Sequence, residues 1–159
     1  MEETAGINGS DKVHTVAIGS DHGGLEAKEL LKSYLGMLGY AVQDVGTHGK
    51  ESVDYPDFAV LVARKVASGI CDRGIMIDGA GIGSSMVCNK VRGVRAALCY
   101  DLTTVKNSRA HNNANVLTLG GPLHAPDALC EMARVWLATR FEGGRHWKRI
   151  NKMMAVERE

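Results

Sequence analysis

A chain of 159 residues with net charge +1 and 45% apolar residues is long enough to bury the core of one domain and too short for two of ordinary size. Its balanced charge gives no electrostatic basis for binding nucleic acid or an acidic membrane surface. No apolar run reaches the roughly 20 residues of a membrane-spanning helix. The acidic start Met1-Glu2-Glu3-Thr4 lacks the positive charge and apolar stretch of a signal peptide, so the expected location is the cytoplasm.

Residues 1–12 are polar and aperiodic and read as a mobile leader before one domain over 13–159. His14 to Gly19 is a short apolar strand ending at Ser20-Asp21-His22-Gly23-Gly24. Leu31, Tyr34, Leu35 and Leu38 then recur at helical spacing, with Gly39 as the cap. Tyr40 to Gly46 is the second strand. Val53-Asp54-Tyr55-Pro56-Asp57 opens a helix that carries Phe58, Leu61, Val62 and Val66 on one face. Gly74 to Ile77, Val94 to Cys99 and Asn115 to Leu119 are strands three to five, with a helix from Thr103 to Ala110 between the last two. Leu129, Met132, Ala133, Trp136 and Leu137 mark another helix. Glu142-Gly143-Gly144 interrupts the pattern before a basic closing helix that begins near Arg145. Continuous apolar strands alternating with amphipathic helices predict an α/β fold, a single doubly wound (Rossmann-like) domain with a five-stranded parallel sheet and a C-terminal helical extension. Cys71, Cys88, Cys99 and Cys130 form no C-x-x-C pair and are expected to be buried, reduced thiols rather than metal ligands.

In such a sheet, ligands bind beyond the carboxyl ends of the strands. That rule selects Asp21-His22-Gly23, Asp78 to Gly83 and Tyr100-Asp101, with His111-Asn112 within reach of the same edge. Asp78 opens a loop with glycine at every second position, Gly79, Gly81 and Gly83. Alternating glycines let backbone N–H groups turn toward an anion. The spacing is not G-x-G-x-x-G and the loop follows the third strand, which argues against a nicotinamide cofactor. Taken alone, Asp78 is as well explained as a helix N-cap, Asp21-His22 as a turn and cap, and Asn112-Asn113 as turn formers. His111 alone suits a helix C-terminus. Arg145 and Arg149 share a helix face and fit either a solvated basic surface or a phosphate clamp.

Taken together, Ile18-Gly19-Ser20-Asp21-His22-Gly23-Gly24, Val53-Asp54-Tyr55-Pro56-Asp57, Gly79-Ala80-Gly81-Ile82-Gly83, Asn89-Lys90-Val91, Val94-Arg95-Ala96-Ala97 and His111-Asn112 resemble, in order and spacing, the type B ribose-5-phosphate isomerases. The galactose-6-phosphate isomerase subunits belong to the same family. The match runs from His14 to Arg149. The resemblance implies an aldose–ketose isomerase without metal or cofactor, a homo-oligomer (dimer or tetramer) with active sites at the subunit interface. It implies that His111 helps open the sugar ring and that Asp21, His22 and Tyr55 line the pocket. It further implies that Gly79, Gly81 and Gly83 face an enediolate oxygen and that Arg145 and Arg149 hold the phosphate, with Asn112 beside His111.

Three positions depart from the pattern. Many members carry a cysteine base where this chain has Asp78, a threonine or serine at Ala80 and an arginine at Pro122. A carboxylate is ionised at neutral pH whereas an ordinary thiol is mostly protonated, so Asp78 is expected to replace the thiol as the proton-shuttling base, strengthened by its apolar neighbours Ile77 and Ile82. The expected substrate is ribose-5-phosphate/ribulose-5-phosphate or a related tetrose to hexose phosphate, and loss of the arginine at Pro122 is compatible with a shorter or differently posed one. The competing expectation is a sugar-phosphate-binding protein, or an inactive subunit of a hetero-oligomer, that keeps the pocket without the chemistry.

Overall fold

Five parallel strands, β1 (Thr15–Ser20), β2 (Ala41–Asp44), β3 (Arg73–Asp78), β4 (Ala96–Leu98) and β5 (Val116–Gly120), lie in the order β2-β1-β3-β5-β4. The structure, a computed structural model, describes residues 12–159. All of the expected leader but Lys12 therefore falls outside the described residues. Six helices connect and follow the strands: α1 (Leu25–Met37), α2 (Tyr55–Ala67), α3 (Ile82–Cys88), α4 (Leu102–Ala110), α5 (Pro126–Ala138) and α6 (His146–Ala155). Three-residue 3-10 turns at His22–Gly24, Gly121–Leu123 and Val156–Arg158 complete the set. None of these helices is long and apolar enough to cross a membrane.

Side chains alternate across the sheet because successive strand residues point to opposite faces. Ile18, Ile75, Ile77, Leu117 and Leu119 pack with Leu31 and Leu35 of α1, Val105 of α4 and Met132 and Trp136 of α5. Ala17, Met76 and Val116 turn the other way, against Ala59, Val62 and Ala63 of α2 and Cys88 of α3. Each fully buried Leu or Ile contributes about 1.5–3 kcal/mol relative to exposure. Both faces are covered, which is why the strands read as continuous apolar runs rather than as alternating ones.

Two observed strands are shorter than the apolar runs that predict them. Tyr40 and Val45-Gly46 lie outside β2, and Val94-Arg95 and Cys99 lie outside β4. The apolar side chains there still pack on the core, and packing, not strand pairing, accounts for the pattern.

Strand order reverses between β1 and β3, and doubly wound sheets leave a crevice at such a switch point. Ser20 pairs with Ile77 there, and the Asp21 N–H donates to the Ile77 carbonyl at 3.3 Å. Asp78 in turn pairs with Gly120 on β5. Register alone therefore brings Asp21, Asp78 and the turn containing Pro122 to one edge.

Beside this edge lies a buried charge pair. Lys28 on α1 is fully buried, and its ammonium donates to both Asp44 oxygens at 2.7 and 2.6 Å. Burial pushes the Asp44 carboxyl up, but bonds from Lys28, the Gly46 N–H and Lys32 outweigh it and hold the group below the ordinary carboxylate range.

Candidate active site

Asp78 is the last residue of β3 and is 4% exposed. Its Oδ1 accepts from the Ala80 N–H at 3.1 Å and, at a shorter distance, from the Gly81 N–H. Its Oδ2 accepts from the Ser84 hydroxyl at 2.6 Å and from the Ser84 N–H at 3.3 Å. The carboxylate is thus surrounded by donors rather than by apolar groups, and Ile82 is half exposed. That differs from the apolar setting expected of Ile77 and Ile82.

The loop glycines have distinct jobs. Gly81 adopts φ +76 at the N-terminus of α3, and a side chain there would also strike Leu98 and the Leu119 backbone. Gly83 lies directly under the Tyr55 ring and hydroxyl, where a Cβ has no room. Around Gly79 there is open space within 4 Å of where a Cβ would stand. The Gly81 N–H is taken by Asp78, while those of Gly79 and Gly83 have no partner among the described residues. The loop therefore carries two N–H groups that no protein acceptor takes among the described residues.

The end of β1 frames this loop. Asp21 is buried and caps the first 3-10 turn, accepting from the Gly24 N–H at 3.0 Å. The exposed His22 accepts from the Val53 N–H through Nδ1 at 3.1 Å. That bond ties the approach to α2, which starts two residues later at Tyr55, to the β1 turn. Pro122 sits in the 3-10 turn after β5 and, with Gly23 and His124, lines a cavity of about 480 Å³. The position that often carries an arginine thus adjoins the site, and here it offers no charge.

A second group forms where α4 ends. His111 is the C-cap of α4, and its Nδ1 is 3.1 Å from the Asn107 side-chain amide. Asn112 donates to Asn107 Oδ1 at 2.9 Å. The Glu142 N–H donates to the Ala110 carbonyl at 3.0 Å, which brings the Glu142-Gly143-Gly144 segment against His111. His111 and His146 stack with ring centroids 4.4 Å apart. Their Nε2 atoms lie 3.6 and 3.4 Å from Glu142 Oε2. Arg145 and Arg149 are exposed at the start of α6 and have no acidic partner among the described residues.

The structure therefore gathers the predicted residues into two groups. Asp21, His22, Tyr55, Asp78, Gly79, Gly81 and Gly83 form one, and His111, Asn112, Arg145 and Arg149 belong to the other. Among the described residues, no hydrogen bond, ion pair or ring contact joins them. Three residues went unnoticed in the sequence. Ser84 is signalled only by its place six residues after Asp78, and Glu142 and His146 only by their i, i+4 spacing. All four cysteines are free thiols; three are buried and Cys130 is half-buried. Burial, with the Asp78 charge nearby, pushes the Cys88 thiol up to about 12, so it is inert near neutral pH and no substitute for a cysteine base.

Comparison with known proteins matches residues 16–153 to the family described as Ribose/Galactose Isomerase. The chain is similar to ribose-5-phosphate isomerase B of Escherichia coli, 38% identical over 142 residues that cover 89% of this chain and 95% of that one. Among solved structures, ribose-5-phosphate isomerase B of Clostridium thermocellum superposes with a TM-score of 0.89 at 47% identity, covering 91% of this chain and 97% of the other. The Mycoplasma genitalium ribose-5-phosphate isomerase B, solved with bound ribulose-5-phosphate, gives a TM-score of 0.89 at 40% identity and covers 92% and 97%.

Proposed function

Because the chain belongs to the ribose/galactose isomerase family, and is thereby an aldose–ketose isomerase of phosphorylated sugars, we propose that it moves a single proton between adjacent carbons of its substrate, with Asp78 as the base. The observation that carries this reading is a buried carboxylate at the switch point beside two unpartnered N–H groups, those of Gly79 and Gly83. In the open-chain aldose, Asp78 removes the proton from the carbon next to the carbonyl. The electron pair moves onto the carbonyl oxygen to give an enediolate, and the Gly79 and Gly83 N–H groups stabilise that oxygen. The proton of the neighbouring hydroxyl passes to that oxygen, Asp78 returns its own proton to the former carbonyl carbon, and the second oxygen becomes the carbonyl of the ketose. No net proton is consumed. To act as a base the carboxylate must release one of its four donors. The Ser84 hydroxyl is the one free to rotate, whereas the N–H groups are fixed by the loop.

His111 opens the sugar ring by transferring a proton between the anomeric hydroxyl and the ring oxygen, with Asn112 and Asn107 orienting it. Arg145 and Arg149 hold the phosphate through charge-assisted bonds. Asp21, His22 and Tyr55 shape the pocket wall. The two groups of residues meet in a homo-oligomer, the Asp78 loop of one subunit facing the α4–α6 corner of another. Support comes from their separation within one chain and from apolar side chains beside the loop, where Ile82, Met86, Tyr100 and Leu123 are at least half exposed. No cofactor takes part in this scheme, which suits a metabolic enzyme of the cytoplasm. Ribose-5-phosphate is one substrate in range, and the uncharged Pro122 favours a sugar phosphate that is shorter or differently posed.

The four hydrogen bonds on Asp78 favour one rival, a subunit that binds sugar phosphate without turnover. Incubation with four-, five- and six-carbon aldose and ketose phosphates in deuterated water separates the two. Deuterium appearing on carbon in any of them supports the isomerase and identifies its substrate. Binding of a sugar phosphate without exchange supports the rival.

A further inference from the structure

We propose that His111, Glu142 and His146 form a binding site for a zinc-type divalent ion. The three ligand atoms lie within 4.8 Å of one another. The two separations from Glu142 Oε2, 3.6 Å to His111 Nε2 and 3.4 Å to His146 Nε2, exceed the roughly 2.9 Å of an ordinary N–H···O bond. They approximate the edge of a tetrahedron around an ion with ligands at about 2.0–2.1 Å, which is about 3.4 Å. Two imidazoles and one carboxylate suit zinc, cobalt or nickel, while magnesium and calcium prefer oxygen donors throughout.

Backbone contacts hold the ligands near these positions without an ion. The Glu142 N–H is bound to the Ala110 carbonyl at 3.0 Å, and the His146 N–H to the Gly143 carbonyl at 3.1 Å. The Asn107 side-chain NH2 lies 3.1 Å from His111 Nδ1, the ring nitrogen facing away from Glu142. Loading of Nε2 requires the proton on Nδ1, so the Asn107 amide must turn to offer its oxygen there. Exposure is graded. The His146 side chain is 10% exposed, His111 40% and Glu142 57%. One flank thus opens to solvent, giving the ion an entry and leaving its fourth position to water. The rings stack at an interplanar angle of 15°, whereas an ion shared by both must lie near each ring plane. Loading therefore turns the more exposed His111 ring out of the stack.

Occupation takes the His111 Nε2 lone pair, so the ion excludes the ring-opening role given above to His111. This inhibitory consequence rests on the proposed function, but the binding itself does not. The test is a titration of the chelator-treated full-length protein with Co²⁺, read by visible absorption, because tetrahedral cobalt absorbs far more strongly than the hexaaqua ion. One equivalent is expected to give an intense visible band with no sulfur-to-metal band in the near ultraviolet, and Zn²⁺ should abolish it. Glu142→Gln and His146→Gln, each shown to be folded by circular dichroism, should weaken binding by about 100-fold or more, since even outer partners of a ligand account for about 10- to 100-fold. His124→Gln, at a different cavity, should bind as wild type does. Absence of the intense band, or a band that survives both substitutions, would overturn the site. In a parallel isomerase assay Zn²⁺ should inhibit and Mg²⁺ should not. If cobalt binds as described but Zn²⁺ leaves turnover intact, the metal site stands and the role of His111 is wrong.

Discussion

The Asp78 loop and the α4–α6 corner, to which the proposed mechanism gives complementary roles, are built in opposite ways. The carboxylate of the loop is buried and internally bonded: Asp78 engages Ala80, Gly81 and Ser84, while Gly81 and Gly83 pack against Leu119 and Tyr55. The corner is half open. Its arginines are exposed, and its histidines meet a largely exposed Glu142. Proton transfer needs a base and an anion site fixed relative to each other, which one chain can provide by itself. Phosphate capture needs positive charge at a distance from the reacting carbons, and exposed guanidiniums can be presented to a neighbouring subunit.

Substitutions that probe one region at a time sharpen this contrast. Asp78→Asn keeps the size of the side chain and removes the base, so kcat should fall by roughly 10²–10⁴ with little change in KM. Full turnover on the true substrate would remove Asp78 from the mechanism. Asp44→Asn touches neither region but leaves the buried Lys28 with only the half-exposed Glu29, 3.1 Å away, as a charge partner. It should cost about 3 kcal/mol in denaturant unfolding, and an unchanged midpoint would show that the pair contributes little. Arg145→Ala and Arg149→Ala should each raise KM by roughly 10-fold or more, given about 1.5–3 kcal/mol for a hydrogen bond to a charged group, with kcat less affected. Equal loss in kcat, or no change, would mean that the arginines are only a solvated face.

The smallest effect is in acid. Asp44 and Asp72 both titrate below the ordinary carboxylate range. At Asp72 burial pushes upward but is outweighed by the backbone N–H groups of His14 and Thr15. Groups with depressed folded values contribute stability above about pH 4, their unfolded range, and lose it as the pH falls through the folded values. Unfolding free energy should therefore be flat near neutrality and decline below about pH 4. Asp44→Asn should make that decline shallower.

The sheet and its switch point were legible because strands buried on both faces leave continuous apolar runs, as in Gly74 to Ile77 and Asn115 to Leu119. Register then places Asp21 and Asp78 side by side, so that half of the site follows from the fold. What surrounds Asp78 was not legible. Its apolar neighbours in sequence suggested a dry setting, yet the turn bends the carboxylate back onto N–H groups and Ser84. The Lys28–Asp44 pair was equally hidden, because sixteen residues and a change of element separate its partners. Glu142 and His146 gave a faint signal in their spacing, but the Glu142–Ala110 backbone bond that carries them to His111 has no sequence signature. Motif order, by contrast, points to the family without any of these contacts.

Asp78 as the proton-shuttling base is tested most directly by the rate at which solvent deuterium enters the carbon skeleton of a bound sugar phosphate. Wild type and Asp78→Asn should be compared at saturating substrate, after binding by both has been established. Rapid exchange in the wild type and a loss of roughly 10² or more in the variant, with affinity retained, is the predicted result. Equal exchange in the two proteins would contradict it.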